Sequence, residues 1–375
     1  MIKKNLSKIV LLLISLVLVG WGSVGHRIIN HNSTLSFPNQ LNFLLFWADS
    51  LAAHGSDADI RKGWDPDEAP KHYLDIDNYP QFVSTGRISH SFDSLVLQYG
   101  YTFVLDQGIL PWAIMQTVDS LKLSFMQNNW QKAMLIASDL GHYLGDSHIP
   151  LHLTRNYNGQ YTGQYGIHSR YESNMIGTYQ QQIIYSGDTV SYVSNISDFV
   201  FDMIYTNYKY VDSVLQADIA ARNYAGGTNS SVYYQKLWEL TKGYTVRLFK
   251  NASYDLARLI FTAWKNAGEP VITNVGNEFV WLNDFKLEQN YPNPFNPSTR
   301  IEYQVSSDAQ ISLKVYDVLG NEIATLVDQY KPVGTYQVEF PNFEMGEVPS
   351  LPSGIYFYQL KAGSFIQTKK MILVR

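Results

Sequence analysis

Between residues 21 and about 275 the apolar positions recur at intervals of three and four, which is the period of an amphipathic helix. The clearest runs are Asn39 to Ala53, Leu110 to Met126, Trp130 to Gly145 and Val232 to Ala267. Pro111 falls where a helix can begin, because proline is tolerated in a first turn. Aromatic, Asn- and Gly-rich stretches such as Arg155 to Gly166 and Tyr224 to Ser231 separate these runs and predict solvent-facing loops around a site. Past residue 275 the period changes. A turn-rich segment, Gln289 to Thr299, leads into alternating runs at Arg300 to Val305, Gln310 to Tyr316 and Gly354 to Leu360, the pattern of half-buried strands. The predicted organisation is a mainly α-helical domain at 21–275, a linker at 276–286 and a small all-β sandwich at 287–375.

The first twenty residues are of another kind. Lys3, Lys4 and Lys8 precede an apolar run from Ile9 to Val19, the layout of a secretory signal peptide spanning 1–20, so that Trp21 becomes the mature N-terminus. No other stretch is long and apolar enough to cross a bilayer, and no transmembrane anchor is expected in the mature chain. The hydrophobic content of 45% supports a large core, and a charged fraction of 16% excludes a disordered chain. A net charge of −5 argues against a broad, sequence-independent grip on nucleic acid but leaves room for a local basic groove. With no cysteine in the chain, disulfides and thiolate ligands are excluded. Any transition-metal site must use imidazole, carboxylate or the chain terminus.

Candidate ligands of that kind recur at regular spacing. His142 and Asp146 stand four apart in a helical pattern, so both side chains leave one face and can share a metal. His168 and Glu172 repeat the interval, His152 follows the break at Pro150, and His72 and His26 lie upstream. One His-x-x-x-Asp pair arises often by chance, but the whole set does not. Asp57 and Asp59 both precede His72, and either could reach a metal from a loop. His31, His54, His90 and His148 fit surface or hydrogen-bonded roles better; His148, two residues beyond Asp146, points elsewhere if the helix continues.

Taken together, Trp21-Gly22-Ser23-Val24-Gly25-His26, His72-Tyr73-Leu74-Asp75, His142-Tyr143-Leu144-Gly145-Asp146, Pro150-Leu151-His152 and His168-Ser169-Arg170-Tyr171-Glu172 resemble the zinc-dependent phospholipase C and S1/P1 nuclease superfamily. The resemblance implies a helical catalytic domain with three Zn2+ ions. The first would be held by Asp57, His72, His142 and Asp146, the second by His152, His168 and Glu172. The third would take the amino and carbonyl groups of Trp21, His26 and a bridging oxygen of Asp146, and would form only after signal removal frees the α-amine. Asp57 is favoured over Asp59 because its distance to His72 fits the family, and it would also orient or deprotonate the attacking water. Asp75 and Asp77 would orient His72 or line the pocket.

The expected activity is phosphodiester hydrolysis, foremost phospholipase C-type release of phospholipid headgroups, since Glu172 and the His142-to-Asp146 motif follow that branch. The first alternative is an S1/P1-type single-strand nuclease or 3'-nucleotidase, favoured by the five-residue Trp21-to-His26 spacing, with Tyr73 stacking on a base and Asp75 bonding its edge. The second is a secreted, non-catalytic binding protein stapled by zinc. Aromatic choline contacts of the phospholipases are replaced by Ala58 and Ala69.

The tail, through Tyr291-Pro292-Asn293-Pro294-Phe295-Asn296-Pro297, Val315 to Gly320, Ser353 to Tyr358 and Lys369 to Val374, resembles the immunoglobulin-like sorting domain of type IX secretion. It implies the type IX export machinery as a partner and a product secreted from, or held on the surface of, a Gram-negative bacterium. The other reading is an accessory immunoglobulin-like module that stays attached.

Overall fold

The computed structural model describes residues 23–272, 285–306, 309–331, 334–341, 351–363 and 365–374. The expected signal peptide, Trp21 and nearly all of the expected linker lie outside the described residues. Two compact units are separated at Val275/Gly276. The first is helical: α1 (Ser23–Ser33), α2 (Trp47–Ala53), α3 (Asp57–Arg61), α4 (Pro80–Thr85), α5 (Phe92–Tyr99), α6 (Tyr101–Asp106), α7 (Leu110–Met126), α8 (Trp130–Ser147), α9 (Ile176–Tyr179), α10 (Ile196–Tyr208), α11 (Val211–Ala225) and α12 (Ser231–Asn266). No helix among the described residues is long and apolar enough to cross a membrane.

Helices α7 and α8 form a hairpin in which the Asn129 side chain accepts from the Lys132 amide and so caps the second helix. Pro111 sits in the first turn of α7, where its missing N–H costs nothing. The 36-residue α12, capped by Ser230, runs for about 54 Å at 1.5 Å per residue and packs along α1, α7, α8 and α11. Its apolar face, with Leu248, Phe249, Ala252, Leu256, Leu259, Ile260 and Ala263, is buried.

Two stretches depart from the helical expectation. Asn39 to Ala53 is not one helix but a 3-10 turn, Asn39–Leu44, followed by α2. Its buried residues explain the break: Leu41, Leu44 and Trp47 are spaced by three, matching the three residues per turn of a 3-10 helix, and only Trp47 to Leu51 steps by four. Ser169–Met175 is a π-helical turn, a wider winding that periodicity did not signal.

The second unit is a sandwich of antiparallel strands: β1 (Lys286–Leu287), β2 (Thr299–Val305), β3 (Ala309–Tyr316), β4 (Glu322–Lys331), β5 (Gly334–Phe340), β6 (Gly354–Ala362) and β7 (Phe365–Leu373). One sheet has the order β1-β2-β5 and the other β4-β3-β6-β7. Alternate residues, Ile301, Tyr303 and Val305 from one sheet and Ile311, Leu313, Val315, Tyr358 and Leu360 from the other, close a common core. The helical-then-β arrangement expected from the sequence is the one observed.

What positions the site is the contact of α1 with α8. Gly141 and Gly145 stand one turn apart and let α1 approach closely: a Cβ on Gly141 would lie 1.8 Å from Asn30 Oδ1 and 2.7 Å from Leu256 Cδ2. Asn30 uses that proximity, donating to the Leu51 carbonyl, the Ser138 carbonyl and Ser138 Oγ, each at 3.0 Å, and so ties α1 to α2 and α8. Gly141→Ala is therefore expected to destabilise the protein by about 1–3 kcal/mol through overpacking. In contrast, Gly243→Ala on α12, where an added Cβ meets nothing within 4 Å, should be neutral or stabilising by up to about 1 kcal/mol. Denaturant melts of the two variants check both signs.

Candidate metal centre

Four segments converge on the buried carboxylate of Asp146, and a fifth joins them through His152. From α8 itself comes His142, one turn earlier, with Nε2 3.4 Å from Asp146 Oδ2. From α1 comes His26, whose Nε2 lies 3.5 Å from Asp146 Oδ1 and whose ring stacks on that of His142 with centroids 3.8 Å apart. Gly145 makes room for it, since a Cβ there would stand 2.7 Å from His26 Nδ1. His72 ends a short 3-10 turn, Ala69–His72, with Nδ1 2.9 Å from Asp146 Oδ2 and 3.0 Å from His142 Nε2. His152, in the turn Pro150–Leu153, brings Nε2 to 3.8 Å from Asp146 Oδ1 and 3.1 Å from Glu172 Oε2. In the π-helical segment Glu172 also meets His168 Nε2 at 2.8 Å.

Backbone hydrogen bonds choose the free nitrogen of two rings. His142 Nδ1 donates to the Gly55 carbonyl at 2.8 Å and His152 Nδ1 donates to the His72 carbonyl at 2.7 Å. Each neutral ring then turns its Nε2 lone pair into the cluster. Among the described residues three groups have ligand atoms within 4.8 Å of one another: His26, His142 and Asp146; Asp59, His72 and His142; and His152, His168 and Glu172. Imidazoles and carboxylates with no thiolate, buried or half-buried, make a donor set that suits zinc.

The electrostatics are those of a cation site. Burial, with the His142 charge beside it, lowers His26 to about 4. Burial alone would also lower His142, but Asp146 and Asp59 outweigh it and raise it to about 9. His152 is likewise raised to about 9 by Asp146 and Glu172 against its burial. Desolvation works against the charged forms of Asp59, Asp146 and Glu172, yet the surrounding histidines hold all three well below the ordinary carboxylate range. A divalent ion supplies the same stabilisation without the protons.

Asp59, and not Asp57, occupies the cluster. Asp59 Oδ1 lies 3.6 Å from His142 Nε2 and 3.7 Å from His72 Nδ1, whereas Asp57 Oδ2 is paired with His54 Nδ1 at 2.7 Å. Both belong to α3, and on a helix residues two apart point about 200° apart, so only one can face the histidines. Tyr73 is half-buried and its hydroxyl donates to the Asp106 carbonyl at 3.3 Å. Desolvation, with Asp77 nearby, raises Asp75 to about 7. Asp77 does not orient His72; it accepts from Thr154 Oγ1 at 2.7 Å and from the Arg155 amide at 2.8 Å, fastening the loop after His152. His148 turns away, with Nδ1 2.8 Å from the Leu144 carbonyl and Nε2 3.4 Å from Asp255. Ala58 is buried and Ala69 exposed.

Residues 289–374 match the family model described as a secretion system C-terminal sorting domain. The tail is a secretion sorting domain. All three candidate ligand groups lie outside it, between residues 26 and 172. No curated protein matches the chain. Among solved structures, the alpha-toxin of Clostridium perfringens from an avian strain is similar at 10% identity, over 93% of this chain and 97% of that one, with a TM-score of 0.46. The alpha-toxin of Clostridium absonum is similar at 11% identity, over 94% and 96%, with a TM-score of 0.41.

Sequence reasoning missed two neighbours of the cluster. Lys62, three residues after Asp59, places Nζ 2.5 Å from Asp59 Oδ1, and its ammonium is stabilised, against its own desolvation, by Asp59, Asp146 and Glu172. Glu68, four before His72, is buried with Oε1 3.5 Å from His72 Nε2. Both stand at helical intervals from a candidate ligand, which is the signal that could have found them. Asp59→Asn is expected to lower bound metal by one equivalent or weaken it at least tenfold, while Asp57→Asn leaves metal content unchanged. Elemental analysis of the two purified variants checks the pair.

Proposed function

We propose that the protein is an exported zinc-dependent phosphoric-ester hydrolase of phospholipase C type. The observation that carries this reading is the position of Asp146, whose two oxygens join the His26/His142 group, His72 and His152 into one contiguous set of donors. Asp59, His72, His142 and Asp146 would hold one ion, and His152, His168 and Glu172 a second. His26 and Asp146 would hold a third together with a terminal amine at Trp21. Bound there, zinc ions supply Lewis acidity and lower the pKa of water, the two requirements of phosphoester hydrolysis near neutral pH.

The chain's own residues do the rest. Lys62, beside Asp59 and partly exposed, neutralises a phosphoryl oxygen. Asp75, raised to about 7, is half protonated near neutrality and donates or accepts a hydrogen bond at the rim, with the Tyr73 ring beside it. Because Ala58 is buried and Ala69 carries no ring, choline is not gripped by aromatic faces at those positions, and headgroup preference rests on Tyr73, Asp75 and Lys62. The net charge of −5 favours lipid over polynucleotide. The second reading, an S1/P1-type nuclease, is favoured by the five-residue Trp21-to-His26 spacing, and would use the same Tyr73 ring to stack on a base. The sorting domain supports delivery by the type IX machinery to the cell surface or medium of a Gram-negative bacterium.

The test compares release of phosphorylated headgroup from mixed-phospholipid micelles with release of nucleotides from single-stranded DNA and RNA, using zinc-loaded protein. Faster headgroup release is expected. Nucleotide release alone would replace this reading with the nuclease one, and silence on both would leave a zinc-stapled binding protein. The titration of the site adds a further expectation. His142 and His152, at about 9 in the metal-free protein, must each lose a proton to bind zinc. Apparent zinc affinity should therefore rise with pH up to about 9, roughly tenfold per unit for each histidine deprotonated, as competition with a chelator at fixed pH values would show.

A further inference from the structure

Glu68 belongs to none of the three ligand groups, yet it is buried at 1% exposure beside His72. It is held there by three donors. Tyr143 Oη donates to Oε1 at 2.5 Å, Arg61 Nη2 approaches the same oxygen at 3.4 Å, and Lys71 Nζ donates to Oε2 at 2.8 Å. Arg61 is itself anchored by Asp139 at 2.9 Å. Asp139 and Tyr143 lie on α8, the helix that carries His142 and Asp146, so one helix builds both the ligand cluster and the clamp behind it.

The His72 ring stands between the two. Its Nδ1 faces Asp146, Asp59 and His142 Nε2, and its Nε2 has Glu68 Oε1, at 3.5 Å, as the acceptor it faces. That buried nitrogen makes no hydrogen bond among the described residues, and the Glu68 carboxylate stands 3.5 Å from it. A neutral imidazole carries its proton on either nitrogen, and only the tautomer with the proton on Nε2 leaves a lone pair on Nδ1 for a metal. The carboxylate of Glu68 stabilises that tautomer and opposes a flip of the ring. Backbone carbonyls do the corresponding work for His142 and His152, whereas His72 has only this side chain.

We propose that Glu68 is a positioning residue that selects Nδ1 of His72 as its ligand atom, from a clamp formed by Tyr143, Arg61 and Lys71. The inference rests on the zinc reading given above, and deepens it by separating a residue that orients a ligand from those that touch the ion. A bland alternative is that Glu68 only staples α8 to the segment before His72.

The experiment uses the full exported chain as wild type, Glu68→Gln and Tyr143→Phe. Three quantities are read: zinc affinity by competition with a chelator, the melting temperature with and without zinc, and the tautomer of His72 from long-range proton–nitrogen-15 spectra of the histidine rings. For Glu68→Gln the expectation is a 10–100-fold loss of affinity at one site and loss of the single Nε2-protonated form of His72. The increase in melting temperature that zinc confers should shrink as well. Tyr143→Phe, which removes one bond to Oε1, should move the same quantities less, and it carries the test if Glu68→Gln does not fold. A lower melting temperature with zinc affinity within twofold of wild type and an unchanged His72 tautomer would overturn the proposal and leave the staple. Should the wild type bind no zinc, the functional reading falls and the proposal with it, because the metal-free ring, with Nδ1 2.9 Å from Asp146 Oδ2, donates from that nitrogen and offers no lone pair there; zinc binding that is insensitive to Glu68→Gln overturns the proposal alone.

Discussion

A carboxylate sealed from water must be matched by positive charge or by hydrogen-bond donors, and Asp146, at 1% exposure, is matched by four imidazoles. Meeting that demand brings α1, the turn before Tyr73, α8 and the turn after Pro150 to one point. The glycines of α8 follow from it, because a helix that must accept another against its ligand-bearing face cannot carry side chains there. So does the hydrogen bonding of Asn30, which holds the two helices at the distance the glycines permit. Removing one histidine from such a set leaves the buried carboxylate under-compensated, and the fold and the chemistry are coupled for that reason.

Much of this was legible in the chain. Leu110 to Met126 and the run from Trp130 were readable because an apolar face repeats at 3.6 residues, and the β-unit was readable because its strands alternate. The ligand pairs His142/Asp146 and His168/Glu172 were readable as four-residue intervals, although the second pair runs from the residue before a π-turn into it, and the wider winding still brings both side chains together. Asp57 and Asp59 could not be separated by spacing, since the choice depends on α3 being a helix of only five residues whose faces differ at every second position. Glu68 was invisible for another reason. Its function depends on Tyr143, seventy-five residues away, and a contact of that range leaves no trace in local periodicity.

The charge of the molecule and the charge of its centre have opposite meanings. A net −5 spread over the chain governs which partners approach, and it sets no limit on a site whose carboxylates are already paired. Locally, Lys62, His142 and His152 crowd positive charge around three carboxylates, so the centre is balanced within itself.

The orientation of these rings is recorded in two different materials. For His142 and His152 it is written in main-chain oxygens, those of residues 55 and 72, which every amino acid possesses. Sequence drift at either position leaves those acceptors in place as long as the loops keep their course, and the two rings inherit a tolerance to substitution that needs no particular neighbour. His72 has no such guarantee, because its acceptor exists only while residue 68 carries a side chain able to accept. Within one cluster, then, some ligands are secured by topology and one by chemistry, and lineages diverging from this chain would be free to lose the second kind of security long before the first.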